Sequence, residues 1–397
     1  MASPGESSAG KAPGHAARDR PGDSGDAAVL TIGRGVDIAV VGGGIVGASC
    51  AYFLAERRAR VLLLESGRVG REASGVNAGG VRQQARALPE MPLALGSLAL
   101  WADLDRRLGA SVEYERCGDL RIVETAADAD RLHAIAARER EAGLVLEWVE
   151  GAALRSLLPA LSPRVIGGTF CPTGGQANPL VVAPSFARRA QDAGAVVWEG
   201  CAVERVRRDG AGYALETRNG PVRASHLVLA AGAWTPLLAR DLDIDLPIAL
   251  FVPQMTATAP LPRVLGLVLL GFSRRLSMKQ MRSGAVLIGG GKRGWGDLAT
   301  RRRGAAEENI RLGAVDAVEV LPVLGGAEAT RSWVGLEGLT PDEMPIIDRI
   351  DGVHVAAGFC GHGFAIGPVA GELLSQWLLD GQPSLDLSAF RLDRFRS

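Results

Sequence analysis

Lysine is almost missing from this chain. Of 44 basic residues only Lys11, Lys279 and Lys292 are lysines. The arginine excess reads as a coding bias rather than as a site. Acidic residues also number 44, so the formal net charge is +0. With no basic surplus to neutralise phosphates, nucleic acid is not an expected partner. The cysteines, Cys50, Cys117, Cys171, Cys201 and Cys360, are scattered and odd in number, and none forms a CxxC pair. That argues against structural zinc or any other metal site and fits a reducing compartment. No run reaches the roughly 18 apolar residues of a spanning helix. "VLGLVLLGF" at 264–272 is the most apolar stretch outside the first fold unit and is too short. Residues 1–35 are rich in Gly, Ala, Ser, Pro and Asp and lack the apolar core of a secretory signal. They are expected to be disordered. No integral membrane segment and a cytoplasmic location follow as expectations. Neither an internal repeat nor a catalytic triad is visible.

What the chain does hold is length and apolar content. Its 397 residues, 47% of them apolar, suffice for two or three domains. "VDIAVVGGGIVGASCAYFLAERRARVLLLESG" (36–67) joins an apolar run, three spaced glycines, an amphipathic segment, a second apolar run and a lone acid. The spacing points to a phosphate. Ile38 to Val41 reads as a buried strand, and a helix is expected from about Gly44 to Arg57. Gly42 permits the tight turn, Gly44 lets a pyrophosphate approach the backbone, and Gly47 lets helix and strand pack closely. The free N–H groups of the helix start, at Ile45 and Val46, face the phosphates. Val61 to Leu64 is the second strand. Glu65 ends it, placed to bond the hydroxyls of an adenosine ribose, with Ser66 beside it. This stretch alone admits either NAD or FAD.

Further along, residues 89–108 read as a helix, 111–125 as a pair of strands, and 127–143 as a charged helix ended by Gly143. Residues 184–209 read as helix, turn, strand, strand. An Asn-Gly hairpin signal sits in 213–234, followed by a buried strand from Leu227 to Ala231 that stops at Gly232. The middle, 245–330, reads as antiparallel strands with a helix at 304–320. The organisation implied is an α/β Rossmann-type nucleotide-binding domain (36–110, 178–235 and 330–397). A second domain with a large antiparallel sheet (111–177 and 236–329) interrupts it.

Four motifs then carry a resemblance. They are the 36–67 stretch, "ASGVNAGGVRQQ", "LVLAAGAWTPLL", and "TPDEMPIID" followed by "GFCGHGFAIGPVAGELL". Over 36–395 the chain resembles the FAD-dependent oxidoreductases of the D-amino-acid oxidase superfamily, in the branch of sarcosine oxidase and dehydrogenase and glycine oxidase. The resemblance implies FAD rather than NAD. It implies that Ser74, Gly75, Asn77, Ala78, Gly79 and Gly80 run past the flavin. Val203 would bond adenine through its backbone, and Ala231, Gly232 and Trp234 would end a strand beside the cofactor. Gly358, Gly361, His362, Gly363 and Phe364 would support the ring ahead of a helix from Gly367. Over the flavin the resemblance places Gln254, Met255, Met278, Gln280 and Trp333. Arg82, His362 and Glu337 are the charged or titratable groups at the chemistry.

The sequence also departs from that family. The substrate-clamping Arg of the glycine and D-amino-acid branches is matched by Glu337. A second family cation is matched by about Gly361 and Ala365. The Lys that monomeric sarcosine oxidase places over the flavin is matched by Leu287, so a slow reaction with oxygen is expected unless a protonated His362 substitutes. The Cys or His that tethers FAD in some relatives has no counterpart, so FAD is expected to be non-covalent, with Cys360 the residue to watch. The reading is oxidation of an amine or amino-acid-like substrate by hydride transfer to flavin N5, with oxygen or an electron carrier as acceptor. Alternatives are a 2-hydroxy-acid dehydrogenase with His362 as base, or a non-catalytic FAD-binding assembly subunit. Glu337 needs a cationic partner, either Arg82, Arg331 or a substrate group.

Overall fold

The computed structural model describes residues 36–396, so the expectation for 1–35 lies outside the described residues. The chain opens with strand β1 (Val36–Val41), helix α1 (Ile45–Glu56) and strand β2 (Val61–Leu64). Gly42 makes the turn at φ +108, and a Cβ there would also strike the backbone of Ala230. Helix α1 is buried on every side from Ile45 to Ala55. It lies between the sheet and two other helices, Pro179–Asp192 and Gly363–Asp380. An all-round apolar helix is stable only when it is covered in this way. Small residues allow the close crossing. A Cβ on Gly367 would sit 2.6 Å from Ile45, and one on Gly371 would overlap Ser49.

The first sheet runs Ile346–Ile350, Val353–Ala357, Gly220–Leu229, β1, β2, Val196–Trp198. All neighbours from Val353–Ala357 onward are parallel. An antiparallel branch, Val203–Asp209 with Gly212–Thr217, joins the edge of Gly220–Leu229. The hairpin pairs Thr217 with Gly220, and Gly220 takes the positive φ. This is the doubly wound arrangement in which ligands bind beyond the carboxyl ends of the parallel strands.

The second sheet also has eight strands, and its order is Ala329–Val334, Gln254–Thr258, Val286–Gly289, Ser277–Gln280, Val268–Gly271, Asp119–Val123, Gly167–Cys171, Glu147–Glu150. It is antiparallel except where Val268–Gly271 meets Asp119–Val123. Leu120, Ile122, Leu269, Met278, Val286 and Ile288 form its core with Ala317 and Val320 of helix Glu307–Val320.

Four local expectations need correction. Residues 111–125 hold one strand, Asp119–Val123, because Glu115 pairs with Gln176 only through an isolated bridge. The helix expected from 184 starts at Pro179, where the Asn178 side chain accepts from Leu180 N at 3.1 Å. A capping Asn followed by Pro outweighs the internal Pro184 as a start signal. The C-terminal helix starts at Gly363 rather than Gly367. The strand Ala329–Val334 belongs to the second sheet, so that sheet's last contribution extends past residue 329.

Candidate active site

A long cavity opens at the carboxyl ends of the parallel strands. Gly44, Ile45 and Val46 of the turn line it, as do Glu65 and Ser66. Helix α1 has Gly44 as N-cap, no capping side chain and no acid in its first turn. Its first N–H groups have no intrahelical acceptor. One of them, Ile45 N, donates to Ser74 Oγ at 2.9 Å. The others, with the helix dipole behind them, suit a pyrophosphate. Glu65 is held rigidly. Its Oε2 accepts from Gly43 N at 2.8 Å, and its Oε1 accepts from Gly67 N at 2.7 Å and Ser66 Oγ at 3.2 Å. Oε2, with one bond, keeps lone-pair capacity for a ribose hydroxyl, whereas both sites of Oε1 are taken. Gly47 stays behind this wall, packed so that a Cβ would overlap the Gly42 carbonyl.

Ser74 and Asn77 also line the cavity, as do Val203, Ala231, Gly232, Trp234, Glu337, Gly358, Gly361, Gly363 and Phe364. Gly75, Ala78, Gly79 and Gly80 do not. A Cβ on Gly75 would overlap Gly70 O, one on Gly79 would overlap Ala177 O, and Gly80 pairs with Gln176. The small size of Gly75 and Gly79 serves close backbone packing. Glu337 is carried by a two-stranded sheet, in register with Phe251. It has no ion-pair partner among the described residues. Arg331 lies over the Trp333 ring at 5.5 Å instead. Burial pushes the Glu337 carboxyl up to about 7, and the Gly361 N–H only partly offsets this.

The residues expected over the flavin are divided. Trp333 Nε1 donates to Val76 O at 2.7 Å, so its ring is tied to the cofactor loop. Met255 pairs across the sheet with Trp333 and is buried. Met278 belongs to the hydrophobic core of the second sheet. Gln280 spends its whole side chain on the fold. Its Oε1 accepts from Val264 N at 2.8 Å and Leu265 N at 3.1 Å, and its Nε2 donates to the carbonyls of Leu261, Pro262 and Gly284. Gln254 is likewise closed on Ala306, whose N–H and carbonyl it bonds at 2.7 and 3.2 Å. Gln280 has nothing left to offer a substrate, while Gln254 is anchored at both ends with one N–H and one lone pair unspent.

Arg82 and His362 enter a buried polar network. Arg82 donates to Ala85 O at 3.4 Å, and the nearby charges of Asp119, Glu90 and Glu139 oppose the downward pull of burial on its guanidinium. Arg82 is therefore not the partner of Glu337. His362 Nδ1 stands 3.0 Å from both oxygens of Glu90. Burial pulls its imidazolium down to about 4 despite that carboxylate. In the neutral ring that burial favours, an Nδ1–H would face Glu90 and leave Nε2 as the acceptor. Burial thus works against the protonated ring that could replace a lysine.

The family model of the FAD dependent oxidoreductases (DAO) matches residues 37–377. The chain belongs to this family. Glycine oxidase of Geobacillus kaustophilus (strain HTA426) is 28% identical over 90% of this chain and 97% of its own length. Sarcosine oxidase subunit beta of Rhizobium meliloti (strain 1021) is 30% identical over 90% of this chain and 88% of its own. The crystal structure of the Geobacillus kaustophilus glycine oxidase superposes with a TM-score of 0.84 at 27% identity, covering 90% of this chain and 98% of that one.

As a member of this family the chain is an FAD-dependent oxidoreductase, and the cavity suits the adenosine diphosphate half of that cofactor. Helix α1 would hold the pyrophosphate and Glu65 the ribose. Three features had no local sequence signal. Arg301, from the second domain, reaches the cavity wall. Lys279 stands directly across from Leu287. Its Nζ donates to Ala177 O at 2.9 Å and lies 2.6 Å from where a Cβ on Gly79 would be. A lysine therefore abuts the loop at Gly79, one strand away from the expected position. Glu90, the partner of His362, ends the short 3-10 turn Leu88–Glu90 that leads into helix Met91–Leu108. No helix among the described residues is long and apolar enough to cross a membrane.

Proposed function

We propose that the protein oxidises an amine or amino-acid-like substrate whose second polar group is cationic or a strong hydrogen-bond donor. The observation carrying this reading is Glu337, an acid in the cavity wall with no ion-pair partner among the described residues. A carboxylate there favours a cation and repels the substrate carboxylate that an Arg would clamp. The relatives named for glycine and sarcosine support amine chemistry as the class, and Glu337 argues for a different member of it. Bound FAD would supply the hydride acceptor at N5 for the carbon next to the amine nitrogen. The chain's own part is orientation. Trp333 braces the loop at Val76, and Glu90 orients the His362 ring. The imine product would hydrolyse in water.

FAD is proposed to be held without a covalent bond. Cys360 lines the cavity, but its thiol donates to Gly358 O at 2.9 Å and burial raises its pKa. A protonated, occupied thiol is a poor nucleophile. The deciding experiment is anaerobic mixing of holoenzyme with a panel of diamines, N-methyl amino acids, glycine, sarcosine, D-amino acids and 2-hydroxy acids. Flavin bleaching is expected with amines bearing a second cationic or donor group. Fast bleaching by glycine or sarcosine would overturn the Glu337 reading, and bleaching by hydroxy acids alone would overturn amine oxidation.

A further inference from the structure

The segment after the second sheet's Val286–Gly289 strand leaves its own domain. It forms a small hairpin, with Trp295 paired to Gly304 and Gly296 to Arg303. Asp297 Oδ1 closes the tip by accepting from Thr300 N at 2.7 Å and Thr300 Oγ1 at 2.6 Å. The tip lands on the nucleotide-binding domain at three points. Trp234 Nε1 donates to Leu298 O at 3.0 Å, Arg303 pairs with Glu72, and Arg301 Nη2 donates to Ser66 Oγ at 2.8 Å.

Arg301 is the unusual member. Its backbone is left-handed, at φ +56, a conformation that costs energy for any residue with a Cβ. Its guanidinium lies over the Trp234 ring, 5.0 Å from the centroid. Arg301, Trp234, Ser66 and Glu65 all line the same cavity. Unlike Arg303, it has no carboxylate partner among the described residues. Of its five N–H donors, one is spent on Ser66, whose hydroxyl in turn donates to Glu65. A cation with unspent donors is thus strapped beside Glu65, in the cavity that suits the adenosine diphosphate half of FAD.

We propose that Arg301 is a cofactor ligand. The 294–304 hairpin is a strap through which the second domain grips the adenosine diphosphate half of FAD. The grip rests on the FAD site described above, not on the identity of the substrate. Charge-assisted contact to that half, lost on truncation, corresponds to about a tenfold change in retention.

The test is FAD release from holoenzyme, followed by recovery of free-flavin fluorescence after dilution, in wild type, Arg301→Ala and Arg302→Ala. Release from Arg301→Ala is expected to be at least tenfold faster, with Arg302→Ala within twofold of wild type. ADP is expected to raise the melting temperature of wild-type apoprotein and to do so far less for Arg301→Ala, while riboflavin acts equally on both. Melting of the two apoproteins without ligand controls for folding. Release from Arg301→Ala within twofold of wild type would overturn the proposal. So would an equal effect from Arg302→Ala, or equal loss of the ADP and riboflavin responses.

Discussion

The end of this molecule expected to hold nucleotide and the end expected to hold substrate are built from different kinds of information. At the first, the residues that a local motif nominates stand around one cavity. Gly44, Ile45, Val46, Glu65 and Ser66 line it, and Gly42 and Gly47 shape its turn. At the second, Gln254, Met278 and Gln280 turn out to be spoken for by the fold. A phosphate is recognised by backbone, and backbone geometry follows from short-range glycine spacing. A substrate is recognised by side chains from several strands, and which of these remain free is decided by packing.

The largest expected effect strikes the first end. In Gly47→Ala the new methyl overlaps the Gly42 carbonyl. The obstacle is backbone, so the turn itself must move, at roughly 3 kcal/mol. The purified protein should carry little or no flavin, read from its visible absorbance. Full flavin content would break the claim that this end is written locally.

Glu337→Gln tests the other end. Under the proposal, KM for the preferred amine rises at least tenfold, the equivalent of roughly 1.4 kcal/mol, while flavin content holds. The pH dependence has a definite sign. With its carboxyl pushed up to about 7, Glu337 becomes charged only as pH rises through that value. KM for a cationic substrate should fall between pH 6 and 8 in wild type and stay flat in the variant. The same shift makes folded wild type lose stability as pH climbs from the unfolded carboxylate value towards 7, because the native state there binds the extra proton. Loss of flavin with an unchanged KM would make Glu337 structural.

Gln280→Ala sharpens the contrast. Its amide serves two backbone N–H groups and three carbonyls. Leaving them unsatisfied should cost roughly 3 kcal/mol, seen as a lower denaturant midpoint, with KM unchanged. A raised KM in a stably folded variant would return Gln280 to the substrate site.

The smallest effect is expected at Lys279. Burial holds its ammonium down at about 8. Between that value and the ordinary lysine range, only the unfolded chain keeps the proton, so stability rises with pH across this window. Lys279→Met should therefore be more stable than wild type near pH 7, by about 1 kcal/mol after the lost bond to Ala177 O, and the gap should close by pH 10. A slower reoxidation of reduced enzyme by oxygen in this variant would instead make Lys279 part of the flavin site.

What the sequence determined by itself is the opening strand–glycine turn–helix–strand unit, with Glu65 at the end of its second strand, and the mixed α/β class of the fold. Each follows from periodicities and short spacings within one or two elements. Even so, the C-terminal helix starts at Gly363 rather than Gly367, and 111–125 holds one strand rather than two, because a helix start inside a glycine loop and an isolated bridge leave no periodic pattern. The tertiary structure alone decided the rest. It brought Glu90 to His362 across 272 positions. It laid Arg301 on Ser66 across 235, and set Lys279 opposite Leu287. It left Glu337 without the arginine that the sequence offered. Contacts between residues so far apart depend on register and packing of whole sheets, which no local pattern of residues encodes.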